Sequence, residues 1–204
     1  MIQGVIFDYG NVLSATRDTQ PRAAWEHKLG LPAGELSRRV HNHHSWVAAQ
    51  CGRISVAAFW QGIGNALHLT SGDVEQLRMD FYRGDIRNDA LVARIDAMRQ
   101  AGLRLGILSN FSRELWTLLE QQDLSHRFDA IAVSADIGVM KPAPAAYHAI
   151  LNMLSLSPEA CLFIDDLPDN IAAAQALGLH GLVFRDSPSC LAEINRLLAG
   201  SLPS

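Results

Sequence analysis

From about residue 88 to 198 the chain repeats one alternation: a helix-like segment, a turn, then four or five apolar residues that stop at a polar one. Residues 88–100 read as a helix that ends before Gly102 and leads into the strand-like run 104–108. Residues 114–122 precede a second run at 129–133. Residues 144–154, followed by a connector opened by Ser157 and Pro158, precede a third at 161–164. Residues 168–177 close at Gly178 before a fourth at 181–184, and 189–198 form a last helix. Successive parallel strands need a crossover between them, and such a sheet is covered on both faces. The pattern therefore predicts an α/β fold: a Rossmann-like parallel sheet core with helices on both faces. In sheets of this kind ligands lie outside the carboxyl ends of the strands, at the switch point of the strand order.

The first strand of that sheet is expected near the N-terminus, where Ile2, Val5, Ile6 and Phe7 stop at Asp8 and the chain turns through Gly10 and Asn11. A carboxylate at the mouth of a buried strand is costly unless it is paired, metal-bound or chemically employed. Alone, Asp8 reads as a turn cap. Ser109 and Asn110 after the run at 104–108, Lys141 in a turn-rich loop, and Asp165 and Asp166 after the run at 161–164 change that balance. Four polar strand ends or following loops in one chain describe the rim of a single site.

Between these parts lies a stretch of different character. From 14 to 85 the residues are rich in Ala, Arg, His and Trp, with helix-like segments near 21–29, 33–46, 55–67 and 72–82 and no strand-like run. The expected organisation is a core of 1–13 and 86–204 with a helical cap at 14–85 inserted after the first strand, over the strand ends. Ser55 is placed to cap its helix and Pro21 to open one. Trp25, Trp46, Phe59, Trp60 and Phe81 are expected to form the core of that cap. In the stretch 41–44, His41 and His44 would be neighbours on one continuous helix. No Cys or carboxylate accompanies them, so a solvated face is favoured over a metal site, with substrate contact as a further reading for His41, His43 and His44.

The 204 residues suit one domain with a modest insertion, and a 49% share of hydrophobic residues supplies a core. Net charge is −4 with no long basic run, which argues against nucleic acid as a partner. Cys51, Cys161 and Cys190 are widely spaced and form no CxxC pair, as in a reducing compartment. Neither a signal peptide nor a membrane span is expected, so the location predicted is cytoplasmic, as a monomer or homodimer.

The four motifs, in this order, resemble those of the haloacid dehalogenase-like hydrolases, a superfamily made mostly of phosphatases. The IDDxxxN form at 164–170 and the helical insert are similar to the branch holding small bacterial sugar-phosphate phosphatases and the N-terminal phosphatase domain of soluble epoxide hydrolases. The resemblance covers the whole chain. It implies a Mg²⁺-dependent phosphohydrolase that acts on a small phosphorylated metabolite through an aspartyl-phosphate. Asp8 matches the nucleophile, Ser109 and Asn110 the phosphate-binding hydroxyl and N–H, and Lys141 the cation holding phosphate and nucleophile. Asp8, the Gly10 carbonyl and Asp166 match the metal ligands, with Asp165 as water-holding neighbour and Asp169 and Asn170 as orienting groups. The rival readings are a 2-haloacid dehalogenase, which shares the aspartate but needs no metal, and a non-catalytic binding relative. One position departs from the pattern. Most phosphatases of the superfamily carry a second Asp two residues after the nucleophile as general acid and base, and here that residue is Gly10. Metal binding survives the change because it uses the backbone; proton transfer is what loses its group.

Overall fold

The computed structural model describes residues 1–199; positions 200–204, the end of the expected core segment, lie outside the described residues. Five parallel strands form the sheet: β1 (Gly4–Phe7), β4 (Arg104–Ser109), β5 (Ala130–Val133), β6 (Cys161–Asp165) and β7 (His180–Val183). Their spatial order is β5-β4-β1-β6-β7. The chain builds outward on one side of β1 and then crosses to the other, so the switch point lies at β1 and β6. Val5 pairs with Leu105 on one side and Leu162 on the other, which fixes β1 as the central strand.

Side chains of successive strand residues point to opposite faces. Val5, Phe7, Leu105, Ile107, Leu162 and Ile164 enter one hydrophobic cluster, and Ile6, Leu108, Cys161 and Phe163 the other. The first cluster is covered by α6 (Asp89–Gln100), α7 (Leu115–Gln121) and α11 (Ser187–Leu198). The second is covered by α9 (Pro144–Leu154) and α10 (Pro168–Ala176). A short helix, α8 (Ser134–Ile137), follows β5 directly. Asn88 caps α6 by accepting from the Leu91 N–H at 3.3 Å, and Pro144 and Pro168 open α9 and α10, where a missing N–H costs nothing.

The stretch before α6 departs from expectation in two places. It holds two strands, β2 (Ser14–Thr16) and β3 (Asp85–Arg87), paired antiparallel with Thr16 opposite Asp85. Each strand is only three residues long and its partner is 69 positions away at the Thr16–Asp85 hydrogen bond, so neither leaves a period to read. Between them run α1 (Gln20–Leu29), α2 (Glu35–His41), α3 (Trp46–Gln50), α4 (Val56–Ala66) and α5 (Ser71–Arg83). The single helix expected over 33–46 is broken. α2 ends at His41, capped by Asn42, and α3 starts only after Ser45, whose Oγ lies 2.6 Å from His43 Nδ1. Ser55 does cap α4, accepting from the Ala58 N–H at 3.1 Å.

These helices share their core with the sheet. Trp25, Phe59, Trp60 and Phe81 are buried and Trp46 half-buried, and all pack into the same cluster as Val5 and Phe7. Phe111, just past β4, joins the two parts: its ring lies 6.0 Å from Tyr9, 5.8 Å from Tyr82 and 6.1 Å from Trp46. Glu114 adds a polar tie, accepting from Trp60 Nε1 at 2.9 Å and Arg78 Nε at 2.7 Å. Among the described residues no helix is long and apolar enough to cross a membrane.

Candidate active site

Asp8 is the first residue past β1, and its N–H continues the ladder by donating to the Ile164 carbonyl at 2.8 Å. That bond fixes its backbone at the switch point. The side chain is 8% exposed; Oδ1 accepts from the Tyr9 N–H at 2.7 Å and lies 3.0 Å from Lys141 Nζ. Burial pushes the Asp8 carboxyl up to about 6, against the pull of the Lys141 ammonium and with a further push from Asp165.

Lys141 is buried. Its Nζ sits 2.6 Å from Asp165 Oδ2 as well as 3.0 Å from Asp8, so a solvated surface lysine is excluded. Its backbone, which enters a cis bond to Pro142, is clamped from both sides by one side chain. Asn110 Nδ2 donates to the Lys141 carbonyl and Asn110 Oδ1 accepts from the Lys141 N–H, each at 2.8 Å. Ser109, the last residue of β4, is 2% exposed beside it.

Asp165 ends β6 fully buried, with every oxygen engaged. It accepts from Lys141 Nζ, from the Leu167 N–H at 2.8 Å and from Asn170 Nδ2 at 3.0 Å on both oxygens. Asp166 is half-buried and accepts from Asn11 Nδ2 at 2.9 Å. Asn11 takes the left-handed conformation, φ 58°, that Asn tolerates better than most side chains. Asp169 is exposed, while Asn170 is buried and braces Asp165.

One oxygen from each of Asp8, Asp165 and Asp166 lies within 4.8 Å of the others. Three carboxylates share a largely buried space with the Lys141 ammonium, so acidic groups outnumber the cation that faces them. A divalent ion would balance them, and an all-oxygen donor set suits a hard one such as Mg²⁺. The donor set therefore fits the cofactor implied by the sequence.

A protein-family model for haloacid dehalogenase-like hydrolases matches residues 2–178, which includes every one of these side chains. The chain belongs to that family. Phosphatase MT3486 of Mycobacterium tuberculosis is 28% identical over 185 residues, covering 88% of this chain and 85% of its own length. The fold matches that of a HAD-like hydrolase from Porphyromonas gingivalis at a TM-score of 0.78 and 23% identity, over 97% of this chain and 98% of that one. A family enzyme from Bacteroides thetaiotaomicron, crystallised with magnesium and inorganic phosphate, superposes at 0.76 and 18% identity, covering 91% and 95%.

In this haloacid dehalogenase-like chain three side-chain roles around the site carry no signature in the sequence, although Asn110 itself is expected there for its backbone N–H. The Asn110 side chain is spent on the Lys141 backbone rather than left free. Gln50 and Ser134 reach the same loop from α3 and α8, and only the fold brings them together. The histidines are arranged differently from expectation. The break after α2 separates His41 from His44, so they are not neighbours on one helix. His41 instead packs edge-on against Trp46 and Phe81 at 5.3 and 5.6 Å. His43 and His44, with Arg38, Arg39 and Asn42, line a cavity of about 410 Å³ that shares no residue with the acidic cluster.

Proposed function

We propose that the chain is a Mg²⁺-dependent phosphohydrolase that cleaves a small phosphorylated metabolite through an aspartyl-phosphate on Asp8. The observation that carries this reading is the Lys141 ammonium shared between Asp8 and Asp165, with an Asp166 oxygen close by, at the switch point of the sheet. Burial pushes the Asp8 carboxyl up, against the ionised form that a nucleophile needs, and Lys141 favours that form. Asp8 attacks phosphorus, the bond from phosphorus to the leaving oxygen breaks, and the phosphoryl group passes to the carboxylate. Water then attacks the acyl phosphate at phosphorus, returning the Asp8 carboxylate and free phosphate. The Ser109 hydroxyl, the Asn110 N–H and the Lys141 ammonium bind the phosphoryl oxygens where charge develops. Mg²⁺, when held by Asp8, Asp166 and the Gly10 carbonyl, supplies the positive charge that lets a carboxylate approach an anionic phosphate. Asp165, whose oxygens already accept from protein donors, anchors Lys141 and stands behind the metal ligands. The five helices between β2 and β3 act as the cap over these strand ends.

Phosphate release from a panel of sugar phosphates and nucleotides, with and without Mg²⁺, tests the reading. Release that requires Mg²⁺ and vanishes in Asp8→Asn supports it. Metal-independent halide release from a 2-haloacid would assign a dehalogenase instead. Binding of phosphometabolites without turnover would assign a non-catalytic relative.

A further inference from the structure

The turn after α3 is fastened to the loop that carries the phosphate-binding residues. Gln50 is 7% exposed and uses both of its ends there. Its side-chain Nε2 donates to the Asn110 carbonyl at 2.7 Å, and its main-chain carbonyl accepts from Ser134 Oγ at 2.6 Å. Ser134, 1% exposed, also accepts from the Phe111 N–H at 3.0 Å. Two residues on, Gly52 has φ +67°, and a Cβ there would fall 2.0 Å from the Ala135 carbonyl. No side chain fits that approach, so the turn sits directly on the backbone of α8.

From Asn110 the contacts continue inward. Its side chain holds the Lys141 backbone at both ends, and Lys141 Nζ reaches Asp8. Gln50 and Ser134 therefore stand at the outer end of a chain of hydrogen bonds whose inner end is the nucleophile. Attachment of the helices to the core does not depend on them, because the shared hydrophobic cluster and Glu114 provide it. What the pair adds is direction: its bonds are satisfied together only with the α3 turn seated and the Asn110 loop in this one position.

We propose that Gln50 and Ser134 are positioning residues, a clip through which the seated cap sets the Asn110 loop and thereby the Lys141 ammonium over Asp8. The proposal rests on the phosphohydrolase reading for its turnover arm and on phosphate binding for the other. The test uses the full chain with Mg²⁺ and the variants Gln50→Glu, Ser134→Ala and Ser134→Thr. Gln50→Glu keeps the shape but replaces the donor facing the Asn110 carbonyl with an acceptor. Kinetics on p-nitrophenyl phosphate, calorimetric titration with inorganic phosphate and thermal melting are measured for each. Misplacing a catalytic group by about 1 Å can cost on the order of 10²-fold, so Gln50→Glu and Ser134→Ala should lower kcat roughly 10- to 100-fold and weaken phosphate binding. Ser134→Thr, which retains the hydroxyl, should recover most of both. Variants that melt earlier yet keep wild-type kcat and phosphate affinity would show a merely structural role and overturn the clip. Equal losses in Ser134→Thr and Ser134→Ala would overturn it as well. Phosphate binding that weakens in the variants while even the wild type releases no phosphate would uphold the clip and sink the phosphatase reading.

Discussion

Gly10 is where a single substitution can restore a missing chemical function. It lies two residues past Asp8, its backbone is outside the left-handed region, and a Cβ built there meets no atom within 4 Å. Asp at this position is thus sterically free. Its carboxyl would lie near the charge of Asp8 and Asp166, which favours the protonated form that a general acid needs. General acid–base catalysis contributes about 10²–10⁴-fold, or roughly 3–5 kcal/mol of barrier at about 1.4 kcal/mol per factor of ten. The gain depends on the leaving oxygen. An alkoxide is about as basic as hydroxide, whereas a phenol gives up its proton far more readily, at about 10. An alkyl phosphate therefore needs the proton, and an aryl, acyl or anomeric phosphate needs it less. In Gly10→Asp, kcat/KM for glycerol phosphate should rise by up to about 10²–10⁴-fold, and that for p-nitrophenyl phosphate by clearly less. The comparison uses both substrates in both proteins, with Mg²⁺ affinity and melting temperature measured alongside. An equal gain on the two substrates, or a loss confined to the alkyl one, would mean that another group already supplies the acid.

Three further outcomes follow from the packing. Lys141→Met leaves Asp8 and Asp165 buried without their cation and should cost roughly 3–5 kcal/mol of unfolding free energy near about pH 8 in metal-free buffer. In that variant burial, no longer opposed by Lys141, holds the Asp8 carboxyl above its ordinary value in the folded state, so the folded form binds more protons than the unfolded one and gains stability as pH falls. The gap to wild type must narrow toward about pH 5, and a constant gap in urea titrations would contradict the pairing. Glu114→Ala removes the acceptor of the buried Trp60 N–H and should lower stability by roughly 2–3 kcal/mol; Glu114→Gln, which keeps an acceptor, should recover part of it, and identical losses would remove Glu114 as the tie. Burial pushes the Cys161 and Cys190 thiols up to about 11 and about 12 while Cys51 is half-buried, so a disulfide reagent near neutral pH should titrate one thiol in the folded protein and all three in denaturant.

The strands of the sheet were legible because each is an apolar run with an abrupt polar end, and the same ends announce Asp8, Ser109 and Asp165. What stayed hidden was non-local. β2 and β3 are too short for any period, and each exists only because the other lies beside it. The break after α2 depends on His43 and Ser45 pairing in a turn where the local pattern favours an unbroken helix. Lys141 sits in a stretch of turn chemistry that normally faces solvent; its burial comes from the Asn110 clamp, formed across 31 positions. Gln50 reads as an ordinary polar residue at a helix end, and only docking onto the β4 loop gives its amide an assignment.

The β2–β3 ribbon has a consequence for how such a chain can diversify. The five helices leave and return through neighbouring residues, Thr16 opposite Asp85, so the sheet meets them at one doorway rather than two. In topological terms the residues between Thr16 and Asp85 could be exchanged for another segment by recombination without moving a single core strand. The shared cluster beneath them sets the terms of that exchange. Any replacement must bring its own counterparts to Trp46 and Tyr82 against Phe111, or it leaves the floor of the sheet open to water. Novelty can therefore enter on the outer surface of these helices, while their underside is held to whatever the sheet already presents.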